Sequence, residues 1–166
     1  LTSPYLDLTP NVVPAGREYL SAIQTHHLWT QAKACGLCAL WNGNVRGGAP
    51  AFVDLHGSML HPLVILSTLA WGVINGSKIA LVGSFIMSGF AQWWLARVLR
   101  LGQVARLWSA CMAVAAGHLS ARMELGVFGV VLSTAACALI LPPLITLSQT
   151  ASRRAAVQLG VTLCAE

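Results

Sequence analysis

Four stretches of this chain, residues 55–77, 79–96, 107–121 and 125–152, contain no Asp, Glu, Lys or Arg. A charge at the centre of a bilayer costs about 2.5–3.5 kcal/mol on the insertion scale, so uncharged apolar runs of this size read as membrane spans. The composition agrees, with 56 % of the 166 residues apolar, 9 % charged and a mean hydropathy of +0.69. Soluble domains carry roughly a quarter charged residues. Ten basic and five acidic side chains cannot coat a soluble globule of this size.

The fold class this predicts is an all-α integral membrane protein, a four-transmembrane-helix bundle. Its helices are placed at 57–75, 79–99, 104–121 and 124–147. The third is the shortest, because its 15 uncharged residues reach only ~22 Å against a ~30 Å hydrocarbon core. Arg106 and Arg122 lengthen it by snorkelling outward. Asn75-Gly76-Ser77-Lys78 and Ala121-Arg122-Met123-Glu124 are read as the tight turns between antiparallel neighbours. Residues 1–54 form an N-terminal arm with Pro4, Pro10 and Pro14, followed by a mildly amphipathic surface helix over 17–41 and a Gly/Pro-rich loop over 42–50. Residues 55–147 are the transmembrane domain, kinked by Pro142 and Pro143, and 148–166 are a surface tail with one short helix.

With four spans, Arg17, Lys33, Arg46, Arg97, Arg100, Arg106, Arg153 and Arg154 fall on one side and Lys78 and Arg122 on the other. Eight against two follows the positive-inside rule with both termini inside. The net charge of +5 therefore calls for no nucleic-acid partner. Trp71, Trp93 and Trp94 lie near span ends and suit the interface. The chain begins at Leu1 with no secretory-type apolar run in its first 50 residues, from which a mitochondrial inner-membrane location is expected. The odd number of cysteines, with Cys111 and Cys137 inside predicted spans, argues against a disulfide framework. Asn75-Gly76-Ser77 matches a glycosylation acceptor and is read as plain turn.

Small residues recur at four-residue spacing in three predicted helices. The rows are Ser109, Ala113, Gly117 and Ala121; Ala80, Ser84, Ser88, Gln92 and Ala96; and Gly129, Ser133 and Cys137. Such rows let helices approach closely in lipid, where no hydrophobic drive pushes them together. They predict a compact bundle or one docked against other subunits, with Gly117 at a close contact and Val114 facing lipid.

Few residues carry chemistry. His61 and His118 are the candidates for a haem or quinone site. Their predicted depths differ by roughly 15–20 Å, so no shared haem is expected. Cys35 and Cys38 form a CxxC preceded by His26 and His27, yet no second ligand pair completes a zinc site. Asp54 with His56 and His61 makes a polar cluster at a predicted membrane surface, and Glu124 in the first turn of the fourth helix complements its dipole. No catalytic motif, metal site or cofactor of its own is expected, only lipid. The function this predicts is an accessory, non-catalytic membrane subunit, partnered by other subunits of an energy-transducing complex such as a mitochondrial respiratory complex. One alternative is a haem- or quinone-holding anchor, as in the membrane anchors of succinate dehydrogenase. Another is a small homo-oligomeric transporter or membrane enzyme using Glu124 or Asp54.

Overall fold

A computed structural model describes residues 3–9, 11–14, 16–43, 47–51 and 58–164. The chain is helical nearly throughout: α1 (Ser3–Leu6), α2 (Tyr19–Cys35), a 3-10 turn (Gly36–Leu40), α3 (Pro62–Val98), α4 (Gln103–Ala115), α5 (Gly117–Leu125), α6 (Phe128–Thr150) and α7 (Arg153–Cys164). Two residues of β1 (Trp41–Asn42) pair antiparallel with β2 (Ala49–Pro50), where the sequence predicts the end of a helix at Trp41 and a loop over 42–50.

α3 is not one rod. Gly72 sits at φ 79°, ψ −169°, a region essentially closed to side-chain-bearing residues. There the helix folds back on itself. A Cβ added to Gly83 would fall 2.8 Å from Leu63 Cδ2, whereas an unbroken helix would hold those residues roughly 30 Å apart. The limbs 62–71 and 73–98 thus form an antiparallel hairpin, closed where Gly76 meets the backbone of Thr68 (2.8 Å from an added Cβ). The expected turn at Asn75-Gly76-Ser77-Lys78 is therefore helix, and the true turn is Gly72 alone. Gly76 and Ser77 are buried inside the hairpin, so the glycosylation acceptor is closed off by the fold.

Past a short turn, α4 returns along the second limb, with Val114 seated over Gly89. The predicted third span then breaks, because Ala116 takes an extended conformation (φ −59°, ψ 123°) and α5 starts afresh. Gly126, left-handed at φ 82°, ends α5. The fourth helix begins at Phe128, and Glu124 stands in the last turn of α5, not the first turn of α6, so its dipole complementarity is lost. α6 carries Pro142 and Pro143 within it, both buried. Ser152 caps α7 by accepting from Ala155 N–H at 3.2 Å.

Among the described residues two helices, α3 and α6, are long and apolar enough to cross a membrane. At 1.5 Å per residue the second limb of α3 alone measures roughly 39 Å, enough for a bilayer. The first limb reaches only about half-way. The core gathers near the Gly72 end, where Tyr5, Tyr19, Leu81, Leu119, Met123, Phe128 and Val131 pack together. Tyr5 and Tyr19 both meet Phe128 edge-on, at 6.1 and 5.4 Å between centroids. α2 is part of this packing and is no surface helix: it buries Tyr19, Ala22, Thr25, His26 and Leu28.

This arrangement redistributes the charges. Gly16 lies against Gly126, and Lys33 Nζ donates to Leu69 O at 2.9 Å, so Arg17 and Lys33 join Lys78 and Arg122 at the Gly72 end. The expected eight-to-two split is not reproduced. Arg97 stands in the last turn of α3, Arg100 and Arg106 flank the start of α4, and Arg153 and Arg154 follow α6, all away from that end. Arg46 lies outside the described residues.

Candidate functional site

The interior carries a seam of polar side chains between α2 and the α3 hairpin. Thr68 donates its hydroxyl proton to Val64 O at 2.6 Å, so its oxygen accepts from His26 Nδ1 at 2.5 Å. That fixes the neutral His26 tautomer with its proton on Nδ1. Burial pulls the His26 pKa down to about 4. Ser77 likewise donates to Ile74 O at 2.7 Å and accepts from Tyr19 OH at 3.2 Å. Each hydroxyl spends its proton on its own helix and its lone pair on α2.

Lys78 is the extreme member of this seam. It is fully buried, at 0 % exposure. Its ammonium donates to the backbone carbonyls of Asp7 (2.5 Å) and Thr9 (3.1 Å), which holds the N-terminal arm across the hairpin. The sequence reading placed Lys78 in an outer turn. Its one overlooked signal was position, a single charge in the middle of 42 otherwise uncharged residues, 55–96.

His61 caps α3 and is itself buried, with 6 % exposed. Its Nδ1 accepts from Leu63 N–H at 3.1 Å, so in the neutral ring the proton resides on Nε2. Nε2 is buried and has no hydrogen-bond partner among the described residues. His61 lines a cavity of about 180 Å³ with Ser58, Ser133, Ala136 and Cys137. In this neutral tautomer Nε2 is a hydrogen-bond donor.

His118 stands exposed on α5 and does not line the His61 cavity. The two histidines are not brought together around one cofactor. Cys35 is disulfide-bonded, which withdraws it from metal ligation without making the disulfide framework that the sequence argues against. Cys38 lies in the 3-10 turn after it. Among the described residues no group of three His, Cys, Asp or Glu side chains converges. Asp54 and His56 lie outside the described residues, so the expected cluster with His61 does too.

The small-residue rows take different fates. Ala80, Ser84, Ser88 and Ala96 are buried along the second limb of α3. In α4, Ser109 and Ala113 are half-buried, but the row ends there, because the chain turns at Ala116 and leaves Gly117 and Ala121 exposed. A Cβ on Gly117 would meet nothing within 4 Å, while Val114, expected to face lipid, sits on Gly89. In α6, Gly129 is buried and Ser133 exposed. The close contacts belong instead to Gly16, Gly76 and Gly126, where an added Cβ would fall within 2.9 Å of backbone atoms. Comparison with protein-family models, curated proteins and solved structures finds no match for this chain.

Proposed function

We propose that this chain is a non-catalytic integral membrane subunit that acts by packing into a larger energy-transducing complex, with the respiratory chain of the mitochondrial inner membrane as its setting. The observation that carries the reading is how little of the apolar helices the chain covers by itself. Only 33 % of the most apolar window of α6 is buried, and α4 has no buried residue at all. α4 turns Ser109 and Ala113 toward α3 and leaves Val104, Leu107, Trp108 and Met112 outward, each more than half exposed. Apolar surface of that extent is covered by lipid or by other subunits.

The test separates those two covers. Trp108→Leu keeps the position apolar, so it leaves insertion intact while changing the shape a partner would meet. Mild solubilisation should yield the native chain in an assembly many times its 17.5 kDa mass, in fixed ratio with the same subunits. The Trp108→Leu chain should be inserted but largely missing from that assembly. A native chain that migrates alone, or a variant that assembles fully, overturns the reading.

A further inference from the structure

We infer that the arginine-bearing end of the molecule binds anionic phospholipid, with Arg153 and Arg154 of α7 on the headgroup phosphate and Val157 and Val161 beside its acyl chain. Charge is divided unevenly between the two ends. At the Gly72 end, Arg17, Lys33, Lys78 and Arg122 stand among Asp7, Glu18 and Glu124, three carboxylates for four cations. Toward the other end lie Arg97, Arg100, Arg106, Arg153 and Arg154, with no carboxylate among the described residues. Arg97 rests on the Trp93 ring, and Arg106 Nε donates to Leu101 O at 2.8 Å. Arg100, Arg153 and Arg154 are exposed and make no hydrogen bond or ion pair among the described residues.

Depth identifies the kind of anion. The second limb of α3 carries Arg97 roughly 37 Å along the helix from Gly72. α6 starts at the Gly72 end, where Phe128 meets Tyr19, and its 23 residues run roughly 34 Å before α7 begins. Both lengths exceed a ~30 Å hydrocarbon core, so in the membrane reading above, on which this inference rests, the arginines stand at headgroup level. Trp93 and Trp94, a turn before Arg97, and Trp108, two residues after Arg106, suit the same level. α7 supplies the second half of the fit. It turns buried Ala155 and half-buried Leu159 and Thr162 inward and leaves Val157 and Val161 outward, each 65 % exposed. Spacings of three and four residues put Arg153 and Arg154 on that outward face, at its start. Arg153, Arg154, Val157 and Gln158 line a shallow hollow of about 370 Å³. Guanidinium forks grip a phosphate bidentately. A free phosphate would satisfy the arginines and leave the valines bare, whereas a phospholipid covers both.

The test uses the purified full chain in phosphatidylcholine nanodiscs doped with a photoactivatable lipid, either phosphatidylglycerol or phosphatidylcholine, whose diazirine lies near the headgroup. Crosslinked peptides are identified by mass spectrometry. Each basic side chain at a headgroup surface favours an anionic lipid about five-fold. Phosphatidylglycerol should therefore label residues 153–164 at least about five-fold more than phosphatidylcholine does. The peptide around Trp71, at the end where carboxylates offset the cations, should prefer it less than about two-fold. Arg153→Gln combined with Arg154→Gln should bring α7 labelling down to the phosphatidylcholine level, and Arg122→Gln should leave it unchanged. Equal labelling of α7 by the two lipids, or a preference that survives the double substitution, overturns the site. A preference that disappears when the chain is labelled within its isolated assembly assigns the arginines to an acidic neighbour and overturns it as well. Failure of the membrane reading looks different, because neither lipid would then label Leu141 and Leu144, 43 % and 46 % exposed on α6, and both inferences would fall together.

Discussion

The Gly72 end and the opposite end of this molecule are built on different principles. At the Gly72 end, the arm, α2, the α3 hairpin, α5 and the start of α6 are joined by specific polar bonds. Tyr19 reaches Ser77, His26 reaches Thr68, Lys78 holds Asp7 and Thr9, and Glu18 N–H donates to Leu125 O at 2.9 Å. Glycines set the closest approaches. Toward the other end, α4 lies along α3 with nothing fully buried, and Arg97 rests over the Trp93 ring at 5.7 Å. In the membrane setting proposed above, lipid is as apolar as leucine, so burial there does little to choose one helix arrangement over another. Polar pairs and glycine fits make that choice, and they are concentrated at one end. The other end keeps its apolar surface for whatever lies beside it.

Substitution at the glycines should break this contrast most visibly. Gly126→Ala adds a left-handed penalty of ~1–2 kcal/mol to overpacking of ~1–3 kcal/mol, since its Cβ would fall 2.7 Å from Tyr19 N. We expect a loss of about 2–5 kcal/mol in thermal or SDS unfolding followed by circular dichroism. Gly117→Ala, placed in open space, should lose nothing and gain up to ~1 kcal/mol of helix propensity. Equal losses at the two positions would show that the Gly72 end is no tighter than the rest.

Acid should weaken the same end. His26 has a pKa of about 4 in the fold against ~6.5 in the unfolded chain. Above pH 6.5 both states are neutral and this histidine contributes no pH dependence. As pH falls from 6.5 towards 4, only the unfolded state takes up the proton, so stability declines, by on the order of 3 kcal/mol in total. Unfolding measured at pH 8 and pH 5 should show the drop, and His26→Asn should shrink it. A pH dependence unchanged in His26→Asn would remove His26 as its source.

The smallest global effect is expected at Lys78. Lys78→Met forfeits two hydrogen bonds to the arm, but it also relieves the cost of burying an ammonium, so we expect a net change under about 1 kcal/mol. The effect should be local. Hydrogen exchange at residues 5–9 should accelerate in Lys78→Met and stay unchanged in Arg100→Met. Equal exchange in both variants would mean that the arm is held by Tyr5, whose hydroxyl donates to Met123 O at 3.4 Å, without help from Lys78.

The helical, apolar nature of the chain was readable because charge-free runs carry that information directly. The positions of its turns were not. Asn75-Gly76-Ser77 has turn chemistry, yet Gly76 and Ser77 serve the hairpin's interior, and the single residue that turns the chain, Gly72, looks in sequence like any glycine in an apolar helix. Four-residue spacing identified the buried row from Ala80 to Ala96, but it failed past Ala113, because a row means nothing once the helix axis changes. His61 was recognisable as a polar residue among apolar ones. What could not be read was its tautomer, which depends on the bond its other nitrogen makes with Leu63 N–H.

The arm contact has a consequence for the order in which the molecule is completed. Asp7 and Lys78 are 71 residues apart in the chain. At about 5–20 residues per second of synthesis, the arm waits roughly 4–14 s for the ammonium that will hold it. Met123, which accepts from Tyr5, emerges later still, 118 residues after its partner. Until then the carbonyls of Asp7 and Thr9 must be satisfied by water or by another chain, and the Lys78 ammonium must keep its own hydration. Residues 5–9 thus leave the ribosome well before the groups that hold them, and they settle late.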